Sequence, residues 1–355
     1  MAILPAGSFN TSKRVYTALK VGDVVEGGVE KVTRGLWSGN VGTLTSFHTS
    51  SAQSDIQKQY YYEVFDGIST AVTSESQFSI TYGHNQGSGS LGQNEDSPSN
   101  AIYSQYAQIL LPDNQRVFKF NNTTTQHIYA INMNRARLKD RLDPGNFQLN
   151  IAKLTGAATP AVHGDNLVIN LIDNSGDTQQ AATQIGRVYS LVSGSILNGV
   201  HPVDASVSEY GSVYPEQGVI ILNAAKLDLS QLNFGTNVAS NTNGDNAFRL
   251  FTAISGAAAI NVNNGFAARN EEKVQSTFYF IRAKNGEYNF SNNPSFTTGS
   301  NGAFKQKTFA NNPKSYITTV GLYNSTQELL AVAKLSKPIL KSFSNEVLVK
   351  VKLDF

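Results

Sequence analysis

The chain lacks several features on which whole classes of protein depend. It has no cysteine among 355 residues, which excludes disulfides, thiolate metal sites and cysteine nucleophiles. Only 15% of the residues are charged, against a norm of roughly 25%. No run approaches the roughly 18 apolar residues that a transmembrane helix needs, so no membrane association is expected.

The charges that are present are balanced. The formal net charge is +2, and a binder of nucleic acid would need clustered Lys and Arg to displace counterions, so no nucleic-acid partner is expected. The first residues show no basic region followed by a long apolar run, which is not the pattern of a signal peptide. We expect synthesis in a cytosol.

Motifs for catalysis or cofactor binding are missing or incomplete. Residues 87–92 fit G-x-G-x-x-G, but the polar stretch that follows has no apolar helical face, so an exposed loop is favoured over a dinucleotide site. The five histidines form no HxH or HExxH grouping. We therefore expect no metal, no cofactor and no enzyme. A cell-wall hydrolase stays open as an alternative, because paired carboxylates carry no local motif.

Strand patterns dominate what remains. Apolar and polar residues alternate through residues 346–355, to the last position, which indicates an end built into a sheet of this subunit or of a neighbour. Further strands are predicted at 21–32 (interrupted by glycines), 60–65, 77–82, 117–120, 126–132, 147–151, 167–172, 187–192, 218–222 and 274–281.

Helices are few in this pattern. The spacing of apolar residues predicts helices at 224–232 and 245–254, the second beginning with a capping Asp245. Residues 101–111 fit a helix or a strand equally well. Residues 142–146, which include Pro144 and Gly145, predict a turn.

The predicted fold is mainly β with a few short helices (α+β), in β-sandwich-type domains with an extended N-terminal arm. The arm covers 1–58 and is either a loose tail or a segment that wraps a neighbour. A β-domain follows at 59–155, then a mixed α/β insertion or second domain at 156–270. Residues 271–355 are expected to be a C-terminal β segment that packs back on the β-domain.

Five residues are candidates for a subunit interface. Arg135, Arg137, Lys139 and Arg141 alternate along residues 133–142, and the three arginines are the interface candidates because the planar fork of arginine makes bidentate pairs. The alternative for this segment is a basic patch that binds a phosphate or an acidic neighbour. Trp37, the single tryptophan, and the terminal Phe355 complete the set.

Several blocks, taken in order, resemble structural virion proteins of contractile-tailed, T-even-like bacteriophages, especially marine and cyanobacterial myoviruses. The blocks are residues 35–38, 44–53, 79–84 with 87–90, 101–106, 214–223, 278–280 with 288–294, and the C-terminal strands. The plan is similar to the dimeric wedge subunit of T-even baseplates. The glycine-rich loop and the long arm have no counterpart in that subunit.

The resemblance implies a non-enzymatic structural subunit of a contractile tail, with the baseplate wedge as the favoured position. The implied location is the virion tail. The implied partners are other tail and baseplate proteins and further copies of this chain in a symmetric ring. A neck or other tail protein is an alternative, and so is a receptor- or glycan-binding virion protein that uses Tyr, Asn and Trp37.

Overall fold

A computed structural model of the chain is built mainly of antiparallel β-strands, which confirms the predicted fold class. The structure describes residues 19–20, 22–37, 42–49, 61–68, 71–90, 97–155, 163–175, 182–183, 185–200, 210–236, 238, 245–289, 294–298, 300 and 302–354. Among these residues, no helix combines the length and the apolar character needed to cross a membrane.

The described strands number 22. They are β1 (Val24–Gly35), β2 (Thr43–Leu44), β3 (His48–Thr49), β4 (Tyr61–Phe65), β5 (Ser76–His84), β6 (Lys119–Phe120), β7 (Thr123–Thr124), β8 (His127–Met133), β9 (Arg141–Leu154), β10 (His163–Asp173), β11 (Ala182–Thr183), β12 (Gly186–Arg187), β13 (Tyr189–Ser195), β14 (Gly199–Val200), β15 (Gly211–Tyr214), β16 (Val219–Asn223), β17 (Phe266–Ala283), β18 (Thr297–Thr298), β19 (Ala303–Phe304), β20 (Ser315–Tyr323), β21 (Leu329–Lys341) and β22 (Val347–Asp354).

The described helices are fewer. They are α1 (Pro98–Leu110), α2 (Arg135–Leu138), α3 (Ala224–Leu229), α4 (Asp245–Ile260) and α5 (Thr308–Asn311), with 3-10 turns at Val262–Asn264 and Pro294–Phe296. Two compact units share these elements. Lys31–Glu272 forms the central unit, and Met1–Glu30 together with Lys273–Phe355 forms the terminal unit.

One antiparallel sheet organises the central unit, in the order β17-β9-β10-β13-β15-β16-β8-β5-β4-β3. The predicted domain boundary after residue 155 lies between β9 and β10, which pair directly, Ile151 opposite Ile169. Both segments also lie within one compact unit, Lys31–Glu272. The segments predicted as a β-domain and a mixed domain are therefore one unit.

Alternation along single strands divides the core of this sheet between two helices. On β8, Tyr129 and Ile131 belong to the cluster that contains α4 residues, whereas Ile128 and Ala130 belong to the cluster that contains α1. Side chains two residues apart share a face, so each strand supplies apolar surface to both sides. Each fully buried aliphatic side chain contributes about 1.5–3 kcal/mol, so both faces stabilise the sheet.

Helix α1 resolves the ambiguous segment at 101–111. The Ser97 side chain caps the helix by accepting a hydrogen bond from the backbone N–H of Asn100, and Pro98 occupies the first turn. Tyr103, Ala107 and Leu110 are buried at helical spacing. The cap and the proline lie just before the segment that was ambiguous.

The predicted turn at 142–146 is wrong, because β9 continues through it. Both carboxylate oxygens of Asp173 accept a hydrogen bond from the backbone N–H of Gly145, at 3.0 and 2.9 Å. Gly145 has a φ of +84°, a conformation that glycine adopts without steric cost. The hydrogen bonds to Asp173, on β10, thus stabilise the unusual backbone conformation of Gly145 inside β9. The two residues are far apart in the sequence, so no local pattern predicts their contact.

The terminal unit contains three groups of paired strands, and two of them, other than the pair β18 and β19, share one hydrophobic cluster. β17 pairs with β1 and, over Ser276–Ala283, with β22 in unbroken antiparallel register. β20 and β21 form a separate two-stranded sheet, the terminal hairpin. The inner side chains of these sheets make one cluster, which includes Ile317, Val320, Val347, Val349 and Val351. The alternating C-terminal segment is thus confirmed as a strand built into a sheet of this subunit.

Part of the predicted N-terminal arm is also folded within the chain. β1 runs without a break from Val24 to Gly35, although the glycines Gly27 and Gly28 were predicted to interrupt it. The Phe278 ring and Ser276 lie within 3 Å of where a Gly27 Cβ would be, so this glycine allows close approach of β1 and β17. How residues 271–355 pack on the β-domain stays a prediction.

Candidate functional site

The basic segment of the sequence forms helix α2 and the start of β9, all within the central unit. The Asn134 side chain caps α2 by accepting from the Ala136 N–H at 3.1 Å. Leu138, on the same helix, is fully buried. Lys139 has a φ of +57°, and this turn directs the chain from the helix into β9.

A glycine in the turn before β16 makes room for this helix. This is Gly218, with a φ of +69°, and a Cβ there would overlap the Cδ1 atom of Leu138. The backbone N–H of Met133 donates to the Gly218 carbonyl at 2.9 Å. Helix α2 is therefore anchored by its single buried leucine, while its arginines are directed elsewhere.

Arg135 is exposed and bonds to main-chain oxygens. Its Nη1 atom donates to the carbonyl of Glu216 at 2.7 Å, and its Nη2 atom donates to the carbonyl of Asp140 at 3.1 Å. These bonds hold the guanidinium flat against the turn before β16. Its interface role stays a prediction.

Arg141 belongs to a partly buried cluster of opposite charges, which we call the β9 ion cluster. It consists of Lys31, Arg141, Asp143, Glu216 and Glu271. Arg141 Nη2 contacts both carboxylate oxygens of Glu271, at 2.8 and 3.0 Å, and Nη1 contacts Glu216 Oε1 at 2.9 Å. Charge-assisted bonds of this kind are about twice as strong as neutral ones.

Lys31 completes the cluster from β1. Its ammonium pairs with Asp143, whose side chain is fully buried, and lies 3.3 Å from Glu271 Oε2. Asp143 also accepts from Asn146 Nδ2 at 2.8 Å. Because a buried carboxylate is costly unless it is paired, this cation and this amide offset the burial of the Asp143 side chain.

Burial and pairing act in opposite directions on these groups. Burial opposes ionisation of Glu271, but the hydrogen bonds and charges of Arg141 and Lys31 outweigh it and lower the pKa of Glu271 below its usual value. Burial likewise opposes the charge of Lys31, yet its two carboxylate partners raise the Lys31 pKa. Internal pairing therefore favours the charged forms of Glu271 and Lys31.

Arg137 points to a different place, a polar cleft. Its Nη2 atom pairs with Glu75 and lies 3.9 Å from Asp66, and its Nη1 atom donates to the Leu36 carbonyl at 3.4 Å. The cleft beside it has a volume of about 490 Å³. Hydroxyl, carboxylate and guanidinium groups dominate its lining, which includes Thr43, Thr45, Ser46, Asp66, Thr73, Ser74 and Arg137.

Trp37 lies at the same cleft but is a core residue. It is 7% exposed, its ring packs 5.0 Å from that of Phe266, and its Nε1 atom donates to Gln77 Oε1 at 2.8 Å. Both the ring and its N–H are satisfied within the chain, so little of this side chain is left to contact a partner. The predicted interface residue Phe355 lies outside the described residues.

The three arginines thus do not form one basic patch. They occur within seven residues of sequence, yet each faces a different set of acceptors, and two of them pair with carboxylates of the same chain. Because of this internal pairing, the segment offers little unpaired positive charge for binding a phosphate. The interface interpretation stays a prediction for Arg135, Arg137 and Arg141.

The structure also joins two histidines that appeared scattered in the sequence. His84 on β5 lies opposite His127 on β8, with the ring centroids 5.8 Å apart. Burial, and then the neighbouring His127, lowers the pKa of His84 to about 4, so this ring is neutral near pH 7. His84 Nδ1 accepts from the Gln86 N–H at 3.0 Å. The two histidines lie opposite each other because of the register between β5 and β8, and their separate positions in the sequence do not predict this.

Within the described residues, no group of three or more His, Asp or Glu side chains is arranged to hold a metal ion. No protein-family model matches the chain, and no curated protein or solved structure gives a significant match. Inference about function therefore depends on the residues and surfaces of this chain itself.

Proposed function

We propose that the chain is a non-enzymatic structural subunit of a bacteriophage contractile tail, and we favour a baseplate wedge position. The ordered sequence blocks that resemble tail proteins supply the assignment to a phage. One structural observation supports a scaffolding role: the terminal unit exposes large apolar side chains on a small sheet with open edges.

The terminal hairpin carries this observation. Its inner face, with Ile317 and Val320, is buried, and its outer face exposes Tyr316, Leu330 and Val332, at 63%, 67% and 57% exposure. Isolated exposed apolar residues are ordinary, but several on one small sheet are typical of an interaction surface.

Open strand edges are the second part of this support. Among the described strands, β20 and β21 pair only with each other, and β22 pairs only with β17. Such edges accept a further strand from a partner. A tail assembly needs matched contacts of this kind, which hold one arrangement and release it when the tail contracts.

Particle incorporation tests the proposal. Purified tails of a phage that encodes the chain should contain it by mass spectrometry, and gold-labelled antibody should mark the baseplate. A Tyr316→Ser/Val332→Ser variant should be incorporated poorly. The matched control is Val72→Ser, which removes an exposed apolar side chain from the central unit. Tails without the chain would refute the proposal.

The polar cleft supports a second candidate, a virion protein that binds a host glycan. Hydroxyl, carboxylate and guanidinium groups in one concave site are the groups that bond to sugar hydroxyls. Glycan arrays probed with the intact chain should then show binding that Arg137→Gln abolishes. Arg135→Gln is the matched control, because Arg135 does not line the cleft. An array without any signal would exclude this candidate.

A further inference from the structure

The two units carry opposite net charges, although the whole chain is nearly neutral. The terminal unit holds 14 Lys and Arg against 7 Asp and Glu, a net charge of +7. The central unit holds 14 against 19, a net charge of −5. The two values sum to the +2 of the chain, so the overall composition conceals this separation.

The terminal hairpin, which exposes large apolar side chains, also carries lysines that contribute to the positive charge of the terminal unit. β20 and β21 contain no Asp or Glu. Lys334 lies opposite Thr319 on the outer face, and Lys337 is exposed further along β21. Among the described residues, no carboxylate forms an ion pair with Lys334 or Lys337. We call Tyr316, Leu330, Val332, Lys334 and Lys337 the basic hairpin surface.

We propose that the basic hairpin surface docks on the acidic central unit of a second copy of this chain. The inference rests on the proposed structural role and specifies one partner for it. Opposite charges on the two units attract copies in a head-to-tail orientation, and the apolar side chains supply area that becomes buried on contact.

Charge also selects against the symmetric alternative. In a two-fold interface centred on the hairpins, the lysines of the two copies would face and repel each other across apolar surface. A head-to-tail contact instead places the lysines against the unit with the acidic excess. Repetition of such a contact closes a ring or extends as a filament, which suits a ring-shaped tail component.

Self-association of the full chain tests this docking. Sedimentation velocity at low salt should show oligomers, and raising the salt to 0.5 M should weaken association by about tenfold or more, since screening shortens the reach of these charges. Lys334→Glu/Lys337→Glu should abolish the oligomers. Lys305→Glu/Lys307→Glu makes the same charge change elsewhere in the terminal unit and should leave most of the association intact.

A mixing experiment separates head-to-tail docking from a two-fold contact. A Lys334→Glu/Lys337→Glu chain keeps its acidic central unit, so it should still accept the hairpin of an unmodified chain and terminate growth there. Small amounts of the variant should therefore shorten unmodified oligomers, whereas a two-fold contact between hairpins would give only dimers, in which the glutamates of the variant attract the lysines of an unmodified chain. The second result would overturn the proposal.

Failure of this inference can be distinguished from failure of the structural role. A chain that stays monomeric at low salt, yet is present in purified tails, would refute docking between copies and leave the structural role standing. A chain that forms salt-sensitive oligomers but is absent from tails would refute the structural role alone. Equal loss of association in both charge-reversed variants would also refute docking at the hairpin.

Discussion

Replacing Arg141 with methionine is the sharpest test of the β9 ion cluster. The substitution keeps most of the side-chain volume and removes the cation that contacts both Glu271 oxygens and Glu216. The Glu271 side chain is 2% exposed, so its carboxylate would stay buried after the substitution. Lys31, whose ammonium lies 3.3 Å from Glu271 Oε2, would be its remaining cation. We expect unfolding to become easier by about 3 kcal/mol, the low end for breaking a buried pair, because Arg141 is itself partly exposed.

The single tryptophan makes this measurement specific. Trp37 lies in the central unit with the ion cluster, so its fluorescence during urea unfolding reports the free energy of that unit. Removing both charges, in Arg141→Met/Glu271→Leu, should recover most of the lost stability, because the buried carboxylate that had lost its main cation is then absent. Arg135→Met is the control, since Arg135 bonds to carbonyls at the exposed surface, and it should cost well under 1 kcal/mol.

Two outcomes would refute this reasoning. A loss smaller than about 0.5 kcal/mol for Arg141→Met would mean that water or a side-chain rearrangement compensates Glu271. Additive effects of the two substitutions would mean that the residues do not interact, because contacting residues give coupling energies of about 0.5–3 kcal/mol.

Three further predictions follow from the described contacts. The lowered pKa of Glu271 stabilises the fold above the ordinary value of 4.5 and loses this effect as pH falls, so urea midpoints should drop in acid, less so in Glu271→Gln. Lys341 is fully buried with its ammonium bonded to three oxygens, so Lys341→Met should speed hydrogen exchange in β20–β22. Gly218→Ala should cost about 1–3 kcal/mol by urea unfolding, because the left-handed backbone disfavours alanine and the new methyl group overlaps Leu138.

Each of these has a contradicting result and a control. Unchanged urea midpoints between pH 7 and pH 3 would contradict the pairing of Glu271. Unchanged exchange in Lys341→Met would mean that its three acceptors find other donors. Gly286→Ala is the control for Gly218→Ala, because nothing lies within 4 Å of a Cβ at Gly286, and equal effects of the two would contradict the steric argument.

The local sequence pattern predicted those strands and helices in which apolar residues line one face along the whole element. The C-terminal strand, β5, β8 and helix α4 lie where alternation or helical spacing placed them, within a few residues. Such elements are determined locally, because burying one face needs only the right period. The segment at 101–111 stayed ambiguous because its helix signal, Ser97 and Pro98, precedes it.

The candidate site was predicted less completely than the fold. The sequence located a short run of arginines, but their acceptors come from positions far along the chain: Glu75 for Arg137, and Glu216 and Glu271 for Arg141. The cleft lined by Thr43 and Thr73 had no sequence signal, because its walls come from separate loops.

The sequence alone determined that this is a mainly β protein and that its last strand is built into a sheet. Those properties depend on composition and on periods of two residues, which are local. Only the tertiary structure decided that β9 passes through Pro144 and Gly145, that Trp37 is buried, and that Arg141 is neutralised from within. Each of these depends on groups brought together by strand pairing between distant parts of the chain, and no local pattern records that pairing.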